Sequence, residues 1–457
     1  MAALIVMTPN GIALAASDDP SVDSTTDSSA AHVAIVERDG RFELTMDGEP
    51  FVVRGAGLAA RDAADIEPLV AALAEAGGNA FRIWGSEHAV PAFEAAARHG
   101  LKVLVGLDVG TQVAGFDYAD VEAVARRHRA VTAFVDRHAD DPSVLGWIVG
   151  NEPNLAFGAD GAPQVADPRV YDAVADIVAH IHEHDPDHPA TVAFAFTPTL
   201  ADDVRTALAR VPALDIVSFQ GYGALPAIPE VASETAPGRP FMITEFGPLG
   251  HWEMPSTDWG REIEEPSGAK AAGIVQRMTP SVTDDPTGRL VGAFAFLWGW
   301  KQERTPTWYG LLVEGFGRTA SVDELSRFWR GRYPDGRAPS ASAITLDGRP
   351  PTDSVRLAPG QRVRARVEVS DPEGDALETR WELRTEVDER SDGGLFEAAP
   401  PSVPFETVGT SNDADHVGIE LVTPATAGEY RLFAYVSDGR GGVATANLPF
   451  LVEGAAR

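Results

Sequence analysis

Two apolar runs in this sequence end in residues that could do chemistry. "VLGWIVGNEPNL", residues 144–155, stops at Asn151 and Glu152, and "PFMITEFG", residues 240–247, carries Glu245 near its end. An uncompensated carboxylate at the edge of an apolar element costs several kcal/mol, on the order of other polar-burial penalties, so each is either solvated or employed. Other apolar runs close in the same way. Arg82 and Trp84 end "NAFRIWG", Asp108 follows "LKVLVGL", Tyr222 ends "LDIVSFQGY" and Trp298 ends "LVGAFAFLW". If these ends converge, two glutamates share a cleft with an arginine, an asparagine, a tyrosine and tryptophans. Paired carboxylates suit glycoside hydrolysis: one protonates the leaving oxygen while the other attacks or stabilises the anomeric carbon. Aromatic faces suit the apolar CH faces of sugars.

Convergence requires a scaffold that brings strand ends to one place. Eight apolar runs, at residues 51–57, 79–85, 101–107, 144–150, 190–196, 214–222, 240–246 and 290–298, alternate with amphipathic stretches such as "DIEPLVAALAEAG" and "RVYDAVADIVAHIHEHD". Apolar strands separated by helices imply a parallel sheet, because each crossover returns the chain in the same direction. Eight of them predict a (β/α)8 TIM barrel, whose site lies at the C-terminal ends of its strands. An open doubly wound sheet fits less well, since Gly55-Ala56-Gly57 lacks the third glycine of a phosphate loop. Asp39-Gly40 and Asp47-Gly48 predict hairpin turns just upstream. The catalytic unit is expected over residues 31–337. Residues 338–457 lose the helical period and read as alternating strands, which predicts a C-terminal β-sandwich of immunoglobulin-like type.

Bulk properties narrow the partners. A formal charge of −31 with no basic stripe argues against nucleic acid and favours a neutral substrate. The chain has no cysteine, which excludes disulfides and thiolate chemistry. No long apolar run suggests a membrane span. Residues 1–30, "MAALIVMTPNGIALAASDDPSVDSTTDSSA", read as a signal-like segment followed by a polar tether, so the expected location is secreted or cell envelope.

The combination of "GWIVGNEPN", "PFMITEFG", "NAFRIWG" and the terminal "FAFLWGW" resembles the retaining glycoside hydrolases of clan A, which include the TIM barrels of families 2 and 5. The resemblance spans about residues 40–332. It implies Glu152 as general acid/base, Glu245 as nucleophile and Asn151 as the amide that binds the sugar 2-hydroxyl. It further implies Arg82 beside Glu245, Tyr222 donating to Glu245, and Trp298 as the aromatic floor of the cleavage subsite. Carboxyl groups roughly 5 to 5.5 Å apart would imply a covalent intermediate and net retention. Two departures stand out: Asp108 replaces a histidine expected after the third strand, and Gln220-Gly221-Tyr222 replaces a His-x-Tyr pattern. The sugar-binding sandwich that precedes the barrel in family 2 is also missing from this sequence.

The expected function is therefore a retaining hydrolase of β-linked glucan or related glycans, acting as a monomer without a cofactor. A transglycosylase with the same glutamates is the mechanistic rival, and a non-catalytic carbohydrate-binding surface protein is the rival of another class. Trp84 and Trp252 are candidate sugar platforms, and Trp308 is a further candidate on the acceptor side. His88, His99, His128, His138, His180, His182, His184 and His188 fall on helices or their ends and read as solvent-facing. "HIHEHDPDH" lacks a strand-end position, so no metal is expected. "SDPEGDAL" reads as a surface turn rather than a calcium loop.

Overall fold

The computed structural model describes residues 31–454 except 316, 392–393 and 413–414, so the signal-like segment and the last three residues lie outside the described residues. Eight parallel strands close into a barrel: β1 (Gly55–Ala59), β2 (Ala80–Ile83), β3 (Lys102–Leu107), β4 (Val144–Asn151), β5 (Ala190–Ala195), β6 (Ile216–Gln220), β7 (Phe241–Phe246) and β8 (Leu290–Gly299). Each strand pairs with its sequence neighbours and β8 returns to β1. The outer layer contains α1 (Ala63–Ala76), α2 (Ala89–His99), α3 (Val121–His138), α4 (Arg169–His184), α5 (Leu200–Arg210), α6 (Ile228–Thr235), α7 (Ser267–Met278) and α8 (Ala320–Arg330).

The strands are apolar on both faces because both faces are covered. In β4, Val144, Trp147 and Val149 join the core shared with the helices, while Leu145 and Ile148 fill the barrel interior. Trp147 is anchored outside: its Nε1 donates to Asp185 Oδ2 at 2.7 Å, and Asp185 also meets His188 Nδ1 at 2.8 Å. His188 is thus buried, contrary to the solvent-facing expectation, because the α4–β5 connection tucks it under the barrel wall. The first strand also starts later than expected, at Gly55. Glu49–Pro50 instead adds a short third strand to the N-terminal hairpin of Val33–Arg38 and Arg41–Met46.

That hairpin seals the N-terminal end of the barrel. Both of its turns place an aspartate and the glycine after it, Asp39-Gly40 and Asp47-Gly48, at positive φ. Two successive positive values are what a tight two-residue hairpin turn requires. Val33 and Leu44 pack on Leu104, Leu145, Ile148, Ile216, Met242 and Val291 from the barrel interior. Hydrogen bonds from Val33 N to Asp187 O and from Phe42 N to Gly288 O, both 2.8 Å, fix the plug to the strand-leading loops. The opposite end is left as the mouth.

The C-terminal strands form two sheets with a common core. One contains Ser340–Ala341, Arg362–Ser370, His416–Val422 and Thr407–Asn412, with Thr345–Leu346 also paired to Arg362–Ser370. The other contains Arg356–Leu357, Val443–Val452, Gly428–Ser437 and Glu378–Thr385. Arg362–Ser370 alternates strictly between exposed and buried residues, as a strand with one face on a sandwich core must. The sandwich is seated on α7 and the loop before it, where buried Glu264 accepts hydrogen bonds from Lys270 Nζ (2.5 Å), Thr307 Oγ1 (2.8 Å) and the sandwich's Asn447 Nδ2 (2.5 Å).

Candidate active site

The "GNEP" sequence at the end of β4 is a backbone device. Gly150 has φ 97°, and a Cβ there would lie 2.9 Å from Val109 Cγ2, so only glycine fits. The β4–β5 register shifts between Ile148 and Asn151, which turns Asn151 and Glu152 to the mouth. Glu152 itself takes a positive φ, in the left-handed region where the Cβ of any residue but glycine crowds a carbonyl oxygen. Glu152 N donates to Ala193 O at 2.8 Å and holds it there.

Glu245, near the end of β7, is ringed by donors. Oε1 accepts from Arg82 Nη1 (3.1 Å), Trp84 Nε1 (2.9 Å) and Gln220 Nε2 (3.0 Å), and Oε2 accepts from the Tyr222 hydroxyl (2.7 Å). Charge-assisted bonds of this kind suit a full negative charge. Arg82 is fully buried, which lowers its pKa, and Glu245 opposes that shift. Its guanidinium also donates to Thr244 O (3.0 Å) and Asn151 Oδ1 (2.9 Å), so both terminal nitrogens of the buried cation are paired. Asn151 Oδ1 accepts a second bond from Gln220 Nε2 at 2.7 Å. With its oxygen thus occupied, the Asn151 amide nitrogen is the group left to donate into the cleft.

Glu152 stands in a different environment. Desolvation in the cleft, reinforced by the charge of Glu245, pushes its carboxyl up to about 8, against the opposing pull of Arg82 and Lys301. A carboxyl in that range holds a proton at neutral pH and releases it when the neighbouring charge disappears. Burial and Glu245 also raise Tyr222 well above the usual tyrosine range, which keeps its hydroxyl a donor.

The cleft, of about 800 Å³, is lined by Asn151, Glu152, Gln220, Tyr222, Glu245, Trp84 and Trp252 together. That volume is toward the upper end of the usual range for ligand sites. Trp252, 60 % exposed, stands edge-on to Tyr222 at 5.6 Å. Glu253 places it by accepting from Gly250 N (2.7 Å) and Gly223 N (2.9 Å), which ties the β7 loop to the β6 loop. Phe296 and Tyr309 back Tyr222, each with its ring centroid 5.7 Å away.

Trp298 does not line this cleft. Its indole points to the helix layer, donates to Leu69 O at 2.9 Å and packs on Trp329, because the β8–β1 register shift between Ala295 and Trp298 turns it outward. Phe296 and Leu297 occupy the wall instead. Trp308 is likewise buried, with Nε1 on Leu249 O at 3.0 Å. Asp108 reaches the rim, where it pairs with Arg127 and caps Gly110 N (2.8 Å). Sequence reasoning assigned no site role to Gln220, although it is the last residue of β6, nor to the cleft residues Lys301 and Glu303, which form an ion pair at 2.6 Å. Away from the mouth, near the ends of α3 and α4, Asp136, His180 and His184 bring three possible metal-ligand atoms within 4.8 Å of one another.

No family model and no curated protein matches this sequence. Solved structures do. A β-D-glucuronidase of Dictyoglomus thermophilum aligns at 14 % identity over 67 % of this chain and 54 % of its own, with a TM-score of 0.51. Bacteroides uniformis β-glucuronidase 2, covalently bound to a cyclophellitol-6-carboxylate aziridine, aligns at 15 % identity over 92 % and 48 %, with a TM-score of 0.50. A Bifidobacterium dentium β-glucuronidase complexed with coumarin-3-O-glucuronide aligns at 17 % identity over 66 % and 50 %, with a TM-score of 0.50. The chain spans about half the length of these structures, and the likeness is one of fold.

Proposed function

We propose that this protein is a retaining β-glycoside hydrolase acting on a neutral β-linked glucan or related glycan. The observation that carries the reading is the contrast inside one cleft. Glu245 is surrounded by four donors, whereas Glu152 has its carboxyl pushed up to about 8. In this reading Glu245 attacks the anomeric carbon and Glu152 protonates the departing oxygen. Oε2, which receives only the Tyr222 hydroxyl among the described residues, is the less encumbered nucleophile. Esterification of Glu245 removes the charge that holds the Glu152 proton, so Glu152 then accepts a proton from water and the ester is hydrolysed. Asn151 donates to a sugar hydroxyl, and Trp84 and Trp252 supply aromatic faces.

A neutral sugar is favoured over a uronic acid by the lining itself. Asp108, Glu245, Glu253 and Glu303 face the cleft, and its lysine, Lys301, is already paired with Glu303. A substrate carboxylate would meet mostly like charge. The exposed rim aromatics Phe157, Phe196 and Trp252 give specific support to transglycosylation as the second reading, since they could seat an acceptor sugar. A monomeric protein exported by its N-terminal segment, with an immunoglobulin-like sandwich, completes the proposal. Among the described residues, no helix is long and apolar enough to cross a membrane.

The test is a panel of aryl β-glycosides and β-linked oligosaccharides with product analysis, followed by a slow 2-fluoro glycoside and mass spectrometry. A glycosyl adduct on Glu245 is the expected result. Glycan binding without cleavage would instead favour a carbohydrate-binding surface protein, and elongated products would favour the transglycosylase.

A further inference from the structure

One wall of the cleft does not come from the barrel. Gly394 and Leu395, in the connection that follows the sandwich strand Glu378–Thr385, line it beside Lys301, whose Nζ lies 3.5 Å from Gly394 O. Leu395 is 39 % exposed and Phe396, next to it, is 91 % exposed. Isolated exposed apolar residues are ordinary. This pair is set apart by how its connection is held.

Glu397, its side chain fully buried, is the clamp. It accepts from Arg304 N (2.7 Å), Gln302 Nε2 (3.0 Å) and Arg304 Nη1 (3.1 Å), all in the segment after β8, and from Ser391 N (3.1 Å) within its own connection. Arg304 Nη1 also donates to Ser391 O at 2.7 Å. Farther along, Arg390 Nη2 reaches Gly260 O (2.7 Å) and Arg261 Nη1 reaches Val387 O (2.9 Å). A charge-assisted network of this density fixes the sandwich connection to the barrel segment that carries Lys301 and Glu303. Leu395 lines the cleft itself and Phe396 follows it in the chain on the open side, so the occupant that fits the pair is a further part of a molecule seated in the cleft.

We propose that Leu395 and Phe396 form a distal subsite that packs against the CH face of a sugar ring of the same β-linked chain, beyond the ring bound between Glu152 and Glu245. This deepens the glycosidase reading and rests on it. The sandwich is then a component of the substrate cleft, and chain-length preference resides in a domain that contributes no catalytic group.

The experiment compares the wild type with Leu395→Ala/Phe396→Ala, using cello-, laminari- and manno-oligosaccharides of two to six units. Affinity is measured by calorimetry in a Glu245→Gln background, and turnover of a small aryl β-glycoside is measured in the native background. Both replaced side chains are exposed, so thermal midpoints should stay together. The expected result is an affinity that rises with chain length in the parent and, in the variant, a loss of about tenfold for the longest ligands and a much smaller one for the disaccharides. Glu397→Gln, which loosens the clamp, should reduce the same length dependence. The subsite is overturned if affinity does not rise with length, or if the rise survives the double substitution. Absence of aryl glycoside turnover in the wild type overturns the glycosidase reading instead, while the calorimetric series still judges the subsite.

Discussion

Glu152 at the barrel mouth is half-buried and Glu264 at the seam with the sandwich is buried, and their environments drive them in opposite directions. Burial alone would raise Glu264, but Lys270, the Thr305 hydroxyl and the charge of Arg431 hold its carboxyl below the usual range. Desolvation raises Glu152 to about 8, and the charge of Glu245 adds to the rise. The seam partners its carboxylate until nothing remains for it to do. The mouth leaves its carboxyl short of partners and ready to exchange a proton, so stability and reactivity are set by the neighbours rather than by the residue.

The largest expected effect breaks the mouth. Glu245→Gln should lower kcat/KM on any cleaved β-glycoside by about 10⁴-fold or more, read by initial rates. Glu152→Gln should cost about 10²–10⁴-fold on substrates with poor leaving groups and much less on activated aryl glycosides. In the wild type, kcat/KM should fall as pH rises through about 8, where Glu152 loses its proton, and this alkaline limb should vanish in Glu152→Gln.

The next effect breaks the seam. Lys270→Met leaves Glu264 as a buried charge without its cation and should destabilise the protein by about 3–5 kcal/mol in urea unfolding, with kinetics of the folded fraction unchanged. The pH dependence should also separate the two sites. Glu264, with its folded pKa depressed, contributes stability that is present above the unfolded value of 4.5 and lost as pH falls through the folded one. Glu152, with its folded pKa raised, contributes stability that is full below 4.5 and lost as pH rises through about 8. The smallest predicted effect follows: Glu152→Gln should raise the thermal midpoint by a few degrees near pH 9 and leave it unchanged near pH 4.

Much of the barrel was legible because its strands are apolar on both faces and its crossovers carry helical periods. The strand-end rule led to Arg82, Trp84, Asn151, Glu152, Tyr222 and Glu245, which do meet at one cleft. It failed at Trp298, because a register shift in β8 reverses which side of the wall a residue faces, and period-two counting does not register such a shift. His188 was misread because burial at the bottom of the barrel depends on a long-range meeting with Trp147 through Asp185. Lys301, Glu303 and Leu395 arrive from loops, one of them on another domain, and no local pattern encodes where a loop lands.

The N-terminal hairpin has a consequence at the far end of the molecule. Val33 and Leu44 extend the packing of Leu104, Leu145 and Ile148, which already fill the barrel interior, so the barrel is solid from its base up to the cleft. A ligand of the cleft then has a single doorway, and whatever has been bound or made must leave by the route the next molecule takes. Product still seated in the cleft delays the next entrant, so added product should slow initial rates.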